Sequence, residues 1–248
     1  MQLVGKNFTV DINMPTQAGL VQEIASRFEA KAGFALATIN LDHVTKLETD
    51  AGFRAAYAAQ DLVVADGNPI VWVSRLASAP VELMPGSELV IPLARLAAKH
   101  GVSVALIGSS DVSLSLASDA LKASAAGLKI SYIHAPAYGF DPQGDAAREI
   151  LQEVAASGAQ LAFLALGAPK QELFAALGRE LAPNVGFASI GAGLDFLSGT
   201  QVRAPKWVRK IAMEWLWRML SNPRRLFKRY ALCAWVLPGL GWRALKSR

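Results

Sequence analysis

The sequence predicts an α/β protein: a three-layer α/β/α sandwich around a mostly parallel sheet, extended at its C-terminus by a helical appendage. Three observations carry that expectation. Short, almost uninterrupted apolar runs recur through the first 190 residues, the pattern of strands buried on both faces. Ala-rich amphipathic stretches of helical length alternate with them, as in βα units. Near residues 198–203 the composition shifts: 12 of the 25 basic residues and five of the six tryptophans lie from Arg203 onward, with Glu214 the only acid.

Taken in order, the expected strands are residues 34–40 (FALATIN), 61–65 (DLVVA), 102–107 (VSVALI), 129–134 (KISYIH), 160–166 (QLAFLAL) and 185–190 (VGFASI). Helical segments fall between them, among them 68–76, 87–100, 111–126 and 142–156. No internal repeat or low-complexity linker interrupts the series, so residues 1–200 read as one core and 201–248 as the appendage. The appendage reads as two helices. Pro205 suits a first helical position, and Val208, Ile211, Ala212, Trp215, Leu216 and Met219 recur at helical spacing. Ser221-Asn222-Pro223 breaks the pattern, because proline disfavours helix at the residue before it. A second helix then sets Leu226, Phe227, Tyr230, Ala231, Ala234 and Trp235 opposite Arg225, Lys228 and Arg229.

Composition narrows the setting. With 248 residues and 52% hydrophobic content the chain can bury a sizeable core. The lone Cys233 excludes an internal disulfide and fits a reducing compartment. MQLVGKNFTVDIN shows no apolar segment after a basic one, so no signal peptide is expected. The longest uncharged run of the appendage, 230–242, contains Pro238, Gly239 and Gly241 and falls short of the roughly 20 residues a spanning helix needs. The formal charge is −6 over residues 1–202 and +11 beyond. Indole rings favour the water–lipid boundary, and each basic residue near an anionic surface contributes about 1 kcal/mol. Basic residues among Trp, Leu, Ile and Val therefore favour an anionic membrane surface over nucleic acid, whose bases would stack on the rings. A helix pair merely packed on the core is the alternative. The expected location is the cytoplasmic face of the membrane, attached without crossing.

Polar turns follow each expected strand: Thr38-Ile39-Asn40, Ala65-Asp66-Gly67, Gly108-Ser109-Ser110, Ala137-Tyr138-Gly139, Gly167 to Glu172, and Gly191 to Asp195. Ligands of open α/β sheets bind at this carboxyl edge. There is no GxxxxGK[ST] run for a P-loop, and Gly191-Ala192-Gly193 lacks the spacing of a dinucleotide fingerprint. His43, His100 and His134 have no metal-ligand spacing, and no Asp-x-Asp pair is present, so neither a metal site nor a cofactor is expected. If a diphosphate leaves in the reaction, arginine and lysine must neutralise it, and the appendage has both. Asp66, seated after the run 62–65 with Gly67 leaving space beside it, can act as a general base toward a bound hydroxyl. It can equally cap the helix that begins at Asn68.

The segment 191–230, GAGLDFLSGTQVRAPKWVRKIAMEWLWRMLSNPRRLFKRY, closely resembles the C-terminal block of the WecG/TagA/CpsF bacterial glycosyltransferases (glycosyltransferase family 26). The Thr38-x-Asn40 turn, Ala65-Asp66-Gly67, Gly86-Ser-Glu-Leu89 and Gly167-x-Pro-Lys-Gln-Glu172 match further blocks in order, so the resemblance covers about residues 5–230. It implies a Rossmann-like core with a membrane-associating appendage. It further implies inverting, metal-independent transfer of a hexosyl unit from a nucleotide diphosphate, expected to be a UDP-sugar, onto an undecaprenyl-diphosphate-linked monosaccharide. By motif, Asp66 would be the base, with Thr38 and Asn40 lining the sugar pocket beside Gly67. Gln171, Gly191 and Asp195 would lie along the nucleotide-sugar site, with Tyr138 as a neighbour. Arg218 and Arg225, with Lys228 or Arg229, would hold the diphosphate.

Departures from the family pattern bear on the substrate. Asn40-Leu41-Asp42-His43-Val44 replaces the Asn-Pro-Glu type of the teichoic-acid enzymes. Ala192 and Leu194 stand where Gly and Phe are usual, and Ile211-Ala212-Met213 replaces the frequent Gly-Leu before Glu214-Trp215. The expected role is therefore exopolysaccharide or other surface-polysaccharide biosynthesis. An N-acetylmannosaminyltransferase of teichoic-acid type is the nearer alternative, and a non-catalytic, nucleotide-binding membrane-surface protein the more distant one. No nucleic-acid partner is expected, and a homo-oligomer stays open.

Overall fold

Six parallel strands stand side by side in the order β4-β3-β8-β7-β5-β6. They are β3 (Phe34–Ile39), β4 (Leu62–Ala65), β5 (Ser103–Gly108), β6 (Lys129–His134), β7 (Ala159–Ala165) and β8 (Gly186–Ser189). All six were expected, within a residue or two of these ends. The interior strand β3 is buried at every position, whereas the edge strand β6 alternates between exposed and half-buried residues. The structure, a computed structural model, describes all residues except Lys206, Arg209, Lys210, Asn222, Ser247 and Arg248, and for Arg218, Ser221 and Arg225 only the backbone.

Helices cover both faces. On one lie α1 (Gln17–Ala30), α5 (Gly86–Lys99), α6 (Asp111–Ser124) and the short α9 (Gly193–Leu197). Their Leu20, Ile24, Leu89, Leu93, Leu114 and Leu194 pack on Phe34, Leu36, Leu106 and Phe163 of the sheet. On the other lie α2 (Leu41–Thr49), α3 (Ala51–Ala58), α4 (Asn68–Leu76), α7 (Asp145–Ala156) and α8 (Lys170–Leu181), burying Ile39, Val63, Ile107 and Leu164. This is a Rossmann-like three-layer α/β/α sandwich. Because β3 runs on into α2 and its neighbour β8 into α9, the chain leaves adjacent strands toward opposite faces. That divergence opens a crevice at the carboxyl edge between them.

Two features depart from the expected pattern. An antiparallel hairpin of β1 (Gln2–Val4) and β2 (Thr9–Asp11) precedes the sheet, burying Leu3 and Val10. Three residues per strand are too few to register as an alternating pattern. In the appendage, α10 spans Glu214–Ser221, not the whole stretch from Pro205. Ala212 is left-handed at φ 60°, which a helix of L-residues does not tolerate, and Met213 N–H closes the turn on Val208 O at 3.0 Å. Trp207 and Val208 are helical, with Val208 buried, so the expected helical pattern is interrupted at Ala212 instead of running on into α10.

The last helix, α11, runs from Pro223 to Lys246 through Pro238. It packs along α2 and α4 and reaches β1, with Leu240 and Ala244 joining the core beside Ile70 and Val73. Among the described residues no helix is long and apolar enough to cross a membrane.

Candidate functional site

Asn40 leaves β3 and turns directly into α2. Its Oδ1 accepts the backbone N–H of His43 at 3.1 Å, capping the helix, while its Nδ2 faces Asp66 Oδ2 at 3.5 Å. Asp66 continues the ladder beyond β4 by donating its N–H to Ile39 O at 2.8 Å. The position that caps α4 belongs to Gly67, at φ 95°, which has no side chain to cap with. The positive φ, and not lack of space, is what favours glycine there, since a Cβ would come no nearer than 3.8 Å to a neighbour. The Asp66 carboxylate is thus turned toward Asn40 and half-exposed at the crevice mouth.

Thr38 lies one step inside and is buried. Its hydroxyl donates across the β3–β8 divide to Ser189 O at 3.3 Å. Gly86, the first residue of α5, closes in from the other face. A Cβ on it would stand 3.1 Å from Ile190 Cα and 3.2 Å from Thr38 Oγ1, tight enough to displace both. Gln171, in the first turn of α8, bridges the β7 and β8 loops: Oε1 accepts Gly191 N–H at 3.2 Å and Nε2 donates to Glu172 Oε1 at 2.8 Å. Gly191 takes φ 56°, presenting its N–H to that amide.

Asp66, Asn40, Thr38, Gly191 and Gln171 therefore line one edge across four adjacent strands. Compared with protein-family models, residues 6–248 match that of the Glycosyl transferase WecG/TagA/CpsF family. The chain belongs to this family. It is a glycosyltransferase, and the match takes in α10 and α11 as well as the sandwich.

The remaining expected positions of this glycosyltransferase are distributed less tightly. Asp195 sits farther along the edge, beyond β7, where its carboxylate accepts from Ser109 Oγ, from Ser113 Oγ at 2.8 Å and from Gln201 Nε2 at 2.7 Å. Tyr138 is fully exposed in the loop after the edge strand β6, beside a groove of about 520 Å³ lined by Phe140, Asp141 and Ile150, and is not brought to Asp66. A second cavity, about 360 Å³, lies toward the opposite end of β4, where Gln60 precedes the strand. Lys228 is exposed on α11. Arg229 Nε stands 2.9 Å from Asp42 Oδ1 but is not aligned as a hydrogen bond, so the contact is ionic. Arg218 and Arg225 fall on α10 and α11, and their side chains lie outside the described residues.

Sequence reasoning missed a buried polar cluster directly beneath this edge. His43 Nδ1 meets Tyr57 OH at 2.6 Å, and His43 Nε2 lies 4.0 Å from Glu172 Oε1. Burial, seconded by Lys46, pushes the His43 pKa down to about 3 and keeps the ring neutral. Burial pushes Glu172 up to about 7, and raises Tyr57 with help from Glu172 and Asp66. Glu172 Oε2 has no hydrogen-bond partner. The adjacent pair Gln171-Glu172 at a strand-to-helix turn was the available signal for this cluster. Among the described residues, no group of three or more His, Cys, Asp or Glu side chains could hold a metal ion.

Proposed function

We propose that this glycosyltransferase moves a sugar from a nucleoside diphosphate onto a polyprenyl-diphosphate-linked monosaccharide at the cytoplasmic face of the membrane, with inversion and without a metal. The observation that carries the reading is the Asn40–Asp66 contact at the crevice mouth, which aims a carboxylate where an acceptor hydroxyl would enter. Asp66 takes the hydroxyl proton as the oxygen attacks the anomeric carbon, and the bond to the nucleoside diphosphate breaks from the opposite side. Thr38, Asn40 and Gly67 line the sugar pocket. Gln171, Gly191 and Asp195 run along the nucleotide sugar, and Tyr138 flanks it. Arg218, Arg225, Lys228 and Arg229 of the appendage, residues 201–248, meet the leaving diphosphate, the charge that an Asp-x-Asp-bound ion would otherwise neutralise.

Membrane attachment is supported by exposed Trp207, Trp215, Trp217, Trp235 and Trp242 set among basic residues. The Asn40-Leu41-Asp42 turn favours the exopolysaccharide or another surface-polysaccharide branch over the teichoic-acid one. The test is a panel of nucleotide sugars, UDP-hexoses first, against a synthetic prenyl-diphosphate monosaccharide, with the product anomer read by NMR. Transfer from one donor with inverted configuration is expected. Retention of configuration, or no transfer from any donor, would overturn the proposal.

A further inference from the structure

We infer that Asp42 is a positioning residue: it seats the basic half of the C-terminal helix, through Arg229, on the same helical turn that holds Asp66. The first turn of α2 carries both contacts. Asn40 caps it and reaches Asp66, and two residues later the largely buried Asp42 carboxylate takes Arg229 Nε on Oδ1 and Lys46 Nζ on Oδ2. Lys46 is a local i,i+4 partner that α2 supplies by itself. Arg229 arrives from the far end of the chain.

The neighbours of Arg229 show that this is a built seat and not a surface pairing. Leu226 and Cys233, three before and four after it on α11, are both buried, placing the three residues on one face of the helix. Burial, with the Asp42 charge next, raises the Cys233 thiol to about 11. The far half of α11 is held by other means. Leu240 and Ala244 join the core, Arg243 Nε donates to Val4 O at 2.9 Å, and its guanidinium lies 3.9 Å from Glu48.

The helix therefore has two independent moorings. The far one rests on Leu240 and Ala244 in the core and on Arg243, bonded to Val4 O and near Glu48. The near one adds to buried Leu226 and Cys233 the ion pair on Asp42, and fixes the stretch that carries Arg225, Lys228 and Arg229. Losing Asp42 frees that stretch while the rest of α11 stays docked. It also leaves Arg229 without the carboxylate that sets its distance from the Asp66 edge.

The structural part of this inference stands on its own, and its effect on turnover rests on the role proposed above for the appendage cations. Hydrogen exchange of the full-length protein separates the two. Asp42→Asn should speed exchange of residues 223–233 by about tenfold while residues 236–246 stay within about twofold of the parent. Asp42→Glu should restore protection, and Lys46→Met, which leaves the Arg229 contact in place, should not reproduce the loosening. If Asp42→Asn leaves 223–233 as protected as the parent, or Lys46→Met loosens it equally, the assignment is wrong. Turnover on a soluble short-chain prenyl-diphosphate acceptor should fall about tenfold in Asp42→Asn and recover in Asp42→Glu. Loosened exchange with unchanged turnover would overturn the positioning role while leaving the mooring. A parent enzyme inactive with every donor would count against the proposed reaction and leave the exchange result to decide the mooring.

Discussion

Replacing Glu172 by glutamine should change how stability depends on pH, by an amount that follows from the two buried titratable groups beneath the site. Folding raises Glu172 from 4.5 to about 7, so between those values the native state holds a proton that the unfolded chain has lost. Its contribution is full below pH 4.5 and is lost as pH rises to 7. At 1.36 kcal/mol per unit the loss is about 3 kcal/mol. His43 acts in the opposite sense. Folding lowers it from 6.5 to about 3, so its contribution is full above pH 6.5 and is lost as pH falls toward 3. From pH 4.5 to 6.5 the two slopes oppose each other, and the parent protein should be nearly flat with respect to this pair. Glutamine keeps an oxygen for Gln171 Nε2 to donate to but removes the titration. The variant should then gain about 3 kcal/mol from pH 4.5 to 6.5 through His43 alone. Urea unfolding at pH 4.5, 5.5, 6.5 and 7.5 reads the difference between the two proteins. Parallel curves across that range would refute the reasoning, because they would mean that Glu172 enters the fold already ionised.

Asp66→Asn should lower kcat by about 10²–10⁴-fold with folding intact, and near-normal turnover would remove the base role. Activity should persist in excess EDTA, whereas abolition by chelator with rescue by Mg²⁺ or Mn²⁺ would mean an ion neutralises the leaving diphosphate. Serine at Trp235 and Trp242 should weaken binding to anionic liposomes more than turnover on a water-soluble acceptor. Alanine at Arg218 or Arg225 should depress that turnover, and arginine variants that lose only liposome binding would make the tail an anchor alone. Gly86→Ala should cost about 1–3 kcal/mol in thermal unfolding and reduce turnover by displacing Thr38, and an unperturbed variant would show that α5 can retreat from Ile190.

The sandwich was legible because its strands other than the edge strand β6 are buried on both faces, which makes each an apolar run that no helix period explains. The edge residues were legible for the same reason: Asp66, Asn40 and Gly191 are the first polar or glycine residues after such runs. That the cap of α4 falls on Gly67 and not on Asp66 could not be read along the chain, because both residues suit the end of a strand. His43 and Glu172 escaped because buried polar groups carry no periodic signature. One lies in α2 after β3 and the other in α8 after β7, and the sheet, with β8 between those strands, brings them within 4.0 Å. The contact of Arg229 with Asp42 escaped for a related reason, since charge spacing finds partners within a helix and not between helices distant in sequence. The break at Ala212 interrupted a helical pattern that was real in spacing, because a left-handed residue there separates helical Trp207 and Val208 from α10.

The strand order has a consequence for how the enzyme is made. β3 is the first strand of the large sheet to be synthesised, and its inner neighbour β8 is the last, with Phe34 registered against Gly186. On the ribosome β3 and β4 must therefore wait, one flank open, while five helices and three strands emerge at about 5–20 residues per second. The Thr38–Ser189 contact and the crevice beside it come into being only when β8 slots into the middle of the sheet. A chain interrupted before residue 186 lacks the β3–β8 pairing and the Thr38–Ser189 contact, and one interrupted soon after β8 has both without the C-terminal helix. The crevice between β3 and β8 is thus completed only after residue 186 has been made, and the last helix, Pro223–Lys246, follows it.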